Sequence, residues 1–141
     1  MKPPVFLRIA SVLTLVHAVM HTIGGVFGKP SPGAAEVAAA TMKANQFPFL
    51  GAMRTFWDFH MGLGLAVSIF LTAEAVVFWL LGSVAATGAM RLRPILAVFA
   101  VAYLALAVNS VMYFFAVPVA VETLIAVCLA LAFFAAKPDR V

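Results

Sequence analysis

Charge is what this sequence has least of. Only 10% of its 141 residues are Asp, Glu, Lys or Arg, against 65% hydrophobic, and the mean hydropathy is +1.12. A water-soluble domain carries roughly a quarter of its residues as charges, so the composition excludes the soluble and disordered classes and points to an integral membrane protein. Cysteine is almost missing as well. Cys128 stands alone in an apolar run, which excludes an intrachain disulfide and a multi-cysteine metal cluster. The nine Lys and Arg residues are scattered along the chain and form no basic patch, so nucleic acid is not an expected partner. There is no glycine-rich phosphate loop, no nucleophile elbow and no fixed-period repeat.

What is present is apolar length. A helix needs about 20 apolar residues to cross the hydrocarbon core, and four stretches, near 5–27, 52–81, 94–115 and 118–136, meet that requirement. The fold expected is all-α: a four-transmembrane-helix antiparallel bundle, one membrane domain over 1–141, with a short extracytoplasmic helix or loop between the first two spans. Lys2 and Arg8 ahead of an apolar run also describe a signal peptide, but the run is long and carries two histidines, so it reads as a retained helix. The alanine-rich stretch from Ala34 to Gln46 has helical composition, and Phe47-Pro48-Phe49-Leu50 is expected to dip into the membrane interface. Only Ala116 and Val117 separate the last two spans, with Pro118 opening the fourth, which makes them a tight helical hairpin.

Basic loops resist translocation. Lys2, Arg8, Arg91, Arg93, Lys137 and Arg140 fall on one side of the four-span arrangement, and Lys29, Lys43 and Arg54 on the other. The richer side is expected to be cytoplasmic, placing both termini inside and the protein in the inner (plasma) membrane.

Ionisable groups within a bilayer are costly and mark either internal partners or function. At the rise of a helix, His21, His60, Asn109 and Glu122 all come to lie about 6 to 12 Å below the outer end of their spans, while Glu74 stands apart in the inner half. Ala10, Thr14, His17, His21 and Gly24 form one small and polar stripe at helical spacing. Arg54 and Asp58, four residues apart, are expected to pair at the interface, leaving His60 to face inward.

Three readings of these residues stand side by side. His17 and His21 at i and i+4, joined by His60 and Glu122, make a three-histidine, one-carboxylate set suited to zinc, iron or copper, with haem as a further option. His60 and Glu122, assisted by Asn109, could instead act as an acid–base pair on an apolar substrate, by isomerisation or epoxide opening. In that reading Trp57 and Tyr113, with Tyr103, flank a flat lipophilic ligand. The structural reading makes the same groups interhelical hydrogen-bond partners, in an accessory or scaffolding subunit that associates with other membrane subunits or with itself. In all three the lipid bilayer is the first partner.

The chain length, the four spans, His17-x-x-x-His21 and the Arg-Thr-Phe-Trp-Asp-Phe-His run from Arg54 to His60 resemble a group of small, uncharacterised bacterial four-helix membrane proteins. The wider architecture is similar to the DoxX-like family. The resemblance covers nearly the whole chain and implies the fold, and it carries no catalytic residue across. The emopamil-binding-type sterol isomerases also set His and Glu around an intramembrane pocket, but no run of their motif is present, so that likeness is analogy.

The charge asymmetry makes a direct prediction. A reporter fused to the C-terminus should behave as cytoplasmic, and one inserted in the 29–43 loop as extracytoplasmic. Phosphatase activity from the C-terminal fusion would reverse the topology.

Overall fold

Proline and glycine decide where the helices begin and end. The computed structural model describes Lys2 to Lys137, so Arg140, counted above with the cytoplasmic cations, lies outside the described residues. Helix α1 (Pro3–Met20) opens on Pro3-Pro4, where the missing N–H groups would have lacked intrahelical partners anyway. It runs on into a π-helical turn, His21–Val26. The chain then leaves the helix at Gly28, where a Cβ would collide with the carbonyl oxygen of Gly24. Helix α2 (Ala34–Ala44) fills the alanine-rich stretch as expected.

The next segment departs from the helical expectation. Strands β1 (Gln46–Phe49) and β2 (Ala52–Thr55) form an antiparallel hairpin in the register Gln46↔Thr55, Phe47↔Arg54, Pro48↔Met53 and Phe49↔Ala52. The two turn residues, Leu50 and Gly51, both have positive φ, 47° and 84°, as a type I′ turn requires. Helix α3 (Phe56–Gly88) therefore starts four residues later than the span expected from 52 and continues well beyond 81. Its start is fixed by a reciprocal cap. The Thr55 N–H donates to Asp58 Oδ2 at 2.7 Å, and the Asp58 N–H donates to Thr55 Oγ1 at 3.1 Å, the geometry of a capping box. Asp58 is thus held by Thr55, and the Arg54 guanidinium donates to the Met53 carbonyl instead of forming the expected pair.

A 3₁₀ turn (Ala89–Leu92) leads into α4 (Arg93–Tyr113), and only Phe114 and Phe115 separate it from α5 (Ala116–Ala135). Pro118 sits in the first turn of α5, where a proline is tolerated. Among the described residues, three helical segments are long and apolar enough to cross a membrane: Pro3–Val26, Phe56–Tyr113 and Ala116–Ala135. The middle one, 58 residues long, contains α3, the 3₁₀ turn and α4.

The chain divides into two compact units, one made of the residues up to His17 together with those from Leu71 onward, the other of Ala18–Phe70. In the first, α4 and α5 pack along one another. Leu7, Phe78, Leu96, Tyr103, Ile125 and Leu129 fill the core, with Phe99 edge-on to Phe78 at 5.0 Å. Ser11 Oγ donates to the Ala75 carbonyl at 2.6 Å and so ties α1 to α3. Near the start of α1, Arg8 stacks on Trp79 at 3.6 Å and donates to Ser83 Oγ at 2.8 Å. The opposite faces of the same helices expose Val98, Val101, Leu104 and Val111, an apolar surface of the kind that lipid covers. In the second unit, the rings of Phe47 and Phe49 pack on the first turns of α3, with Phe47 4.9 Å from Phe56 and Phe49 5.1 Å from Phe59.

Thr55→Ala removes one half of the cap and should cost about 1 kcal/mol. Hydrogen exchange should quicken at the Asp58 amide while amides in the middle of α4 keep their protection.

Candidate functional site

Buried positions on α4 recur at Leu96, Tyr103, Ala107 and Ser110, a spacing that keeps one helical face inward. Two of the four are polar, and each meets a carboxylate from another helix. The Tyr103 hydroxyl donates to Glu74 Oε2 of α3 at 2.6 Å. Thr14 of α1 lies near that phenol, its own hydroxyl donating to the Ala10 carbonyl at 2.9 Å. Ser110 is a polar neighbour of Glu122 from α5. Glu122 is only 6% exposed and lies in the neighbourhood of Tyr103. Glu122 Oε2 is buried and makes no hydrogen bond to any described residue. The first unit thus holds two carboxyl groups around one phenol, with hydroxyls beside both. A short O–H···O⁻ bond in a low-dielectric core is strong, and an acceptor left open beside it can take a proton or a donor from a bound molecule.

A separate hydroxyl–imidazole chain occupies the second unit. His21 Nδ1 lies 3.1 Å from Ser68 Oγ, Thr22 Oγ1 lies 2.8 Å from Ser68 Oγ and 2.7 Å from the Ala18 carbonyl, and Ser68 reaches the Gly64 carbonyl at 3.2 Å. Each hydroxyl owns one proton, so these bonds cannot all form at once. If His21 carries its proton on Nδ1, it donates to Ser68, Ser68 donates to the Gly64 carbonyl, and Thr22 donates to Ser68 or to Ala18. If Nδ1 is bare, Ser68 donates to His21 and Thr22 again has Ser68 and Ala18 as acceptors. The π turn beginning at His21 puts the imidazole and the Thr22 hydroxyl on Ser68 together, and such turns recur at functional positions.

The remaining expected site residues are dispersed. His17 is half-buried on the α1 face that carries Ala10 and Thr14. His60 shares an azimuth with Gly64 and Ser68, yet it is exposed and rests against Trp57 at 5.1 Å, so it does not face an interior. Trp57 is in turn covered by the Lys43 ammonium at 4.1 Å, which makes it a cation–π partner. Asn109 is exposed although its neighbour Ser110 is buried, because one residue of a helix turns the side chain by about 100°; it is therefore not brought to Glu122. Tyr113 ends α4 with 71% of its surface exposed. Among the described residues no group of three or more His, Cys, Asp or Glu side chains is placed to hold a metal ion; of the expected set, His17 and Glu122 belong to one unit and His21 and His60 to the other.

Tyr103 is expected from the sequence only as an aromatic flank of a ligand and Glu74 stands apart in the inner half, while Ser110, Ser68 and Thr22 carry no expectation. The spacing of Tyr103, Ala107 and Ser110 carried the α4 pair in plain sight. Comparison with protein-family models, curated proteins and solved structures finds no match for the chain.

Removing one partner of a buried bond costs more than removing both. Tyr103→Phe, which strands Glu74 Oε2, should destabilise the protein by about 1 to 3 kcal/mol. Adding Glu74→Met should recover much of that loss, read as the unfolding midpoint in detergent.

Proposed function

We propose that this is a four-span protein of the inner (plasma) membrane, an antiparallel bundle with both termini cytoplasmic, which binds a lipophilic small molecule at the Glu74–Tyr103–Glu122 cluster. Two features support four crossings. At 1.5 Å per residue, α3 alone exceeds the hydrocarbon thickness of about 30 Å. The break after Gly88 is also followed by Arg91 and Arg93, cations suited to a cytoplasmic turn.

The observation that carries the binding reading is Glu122 Oε2. A buried acceptor without a donor costs free energy, and this one lies on a helix whose other core residues are apolar: Ile125, Ala126, Leu129 and Ala132. An amine or hydroxyl on an otherwise apolar molecule entering from the bilayer would supply the missing donor. Binding at such a site orients the molecule through a few polar groups, the rest of the contact being apolar. No group of three or more ligating side chains for zinc, iron or copper gathers among the described residues, and the reading rests on Glu122 instead. The resemblance to DoxX-like proteins rests on the sequence motifs alone and adds no ligand.

Functional and structural roles for Glu122 predict opposite signs. If the carboxyl serves a ligand, Glu122→Leu should raise the stability of the ligand-free protein by about 1 to 3 kcal/mol, because an unsatisfied buried group is replaced by one that matches its surroundings. The same variant should no longer retain the lipophilic molecule detected by mass spectrometry after mild extraction of the wild type. A Glu122→Leu protein that is less stable, from a wild type that carries no small molecule, would instead identify an accessory or scaffolding subunit in which Glu122 serves packing.

A further inference from the structure

The hairpin of the second unit contains a residue that neither folding nor solubility explains. Leu50 occupies the first central position of the type I′ turn with φ +47° and is 93% exposed. Positive φ crowds a branched apolar side chain, which is why Asn, Asp and Gly dominate this position. An Asn-Gly pair is the favoured choice for such a turn, whereas Leu50 adds backbone strain and gains no burial within the chain. Its neighbours extend the same surface, with Phe49, Met53 and Phe56 all largely exposed. Behind the tip, Phe47 and Phe49 are braced on Phe56 and Phe59, so the apolar tip is held in place before it meets anything.

We propose that this hairpin is a lipid-binding wedge that seats Leu50, Met53 and Phe56 in the headgroup and acyl boundary of the bilayer. Chain continuity brings the membrane to it. β2 ends at Thr55 and the apolar α3 begins at Phe56 with no residue between, so the tip lies within one four-residue strand, about 13 Å, of a membrane-crossing segment. The accompanying charges suit an interface: Arg54 is exposed on the hairpin, and Lys43 lies over Trp57 beside it, the aromatic and basic pairing that anchors proteins at headgroups. The depth is limited as well. A two-stranded sheet leaves its outer backbone groups without partners, and hydrocarbon offers none, so insertion stops at the boundary region. This inference requires only that the chain lies in a membrane and is independent of the ligand reading above.

The test places an environment-sensitive fluorophore at the tip through Leu50→Cys in a Cys128→Ser background, in vesicles of phosphatidylcholine with phosphatidylglycerol. The expected result is blue-shifted emission, protection from aqueous iodide, and stronger quenching by lipids carrying a nitroxide near the headgroup than by lipids carrying it at the chain end. A second protein, with the fluorophore at Met53→Cys, compares Leu50 with Leu50→Asn. The asparagine variant relieves the turn, so it should fold at least as stably while its lipid quenching falls severalfold. Emission typical of water with free access to iodide would overturn the proposal. Protection from iodide without quenching by any nitroxide lipid would overturn it too, showing a protein surface, such as a second copy of this chain, over the tip.

Discussion

A polar hydrogen inside a bilayer has no water to fall back on, so it must find its acceptor within the protein. The short hydroxyl side chains do this locally. Thr14 and Thr123 each donate to a carbonyl four residues back, and Thr22 and Ser68 have such a carbonyl within reach, a bond available in any helix. Their oxygens keep spare acceptor capacity, which is what lets Thr22 and Ser68 join His21 in one chain. Longer groups cannot turn back on their own backbone. Tyr103 and Glu74 therefore have to meet each other, and a single 2.6 Å bond sets the height at which α3 and α4 pass. The aromatic contacts of Phe78 with Phe99 and Tyr103 then fill the space that this height leaves.

Much of this was legible in the sequence. Composition alone gives a membrane protein, and the apolar runs and the Gly-Pro punctuation locate the helices to within a few residues. The hairpin was not legible, because Gln46 to Thr55 contains Pro48 and lacks a clean alternation, and its turn carries Leu50 where Asn or Asp is the usual signal. The start of α3 was hidden for a related reason: Thr55 and Asp58 form a capping box, but the Arg54–Asp58 spacing suggested an ion pair. Depth, read as residues from the end of a span, proved weaker than azimuth read as spacing. Asn109 and Glu122 fall at similar depth yet differ in whether they are buried, whereas Tyr103 and Ser110 share a face with Ala107 and are both inside.

The departures from local rules are not spread evenly. The π turn at His21, the positive φ of Leu50 and the exposed aromatic residues around it all fall between Ala18 and Phe70, while the other unit departs at buried polar atoms without a hydrogen bond, among them Arg8 Nη1, Arg93 Nε and Glu122 Oε2. Rules of local consistency are broken where something other than folding is selected. Imidazole and carboxyl differ in what burial asks of them. An imidazole can sit in a membrane as a neutral ring and be satisfied by one hydroxyl, as His21 is by Ser68. A carboxyl group has two oxygens to satisfy and its anion has no proton to offer. Keeping one at position 122, among alanine, leucine and isoleucine side chains that would pack there at no such cost, leaves an open oxygen, and the ligand proposed above is the donor that would satisfy it.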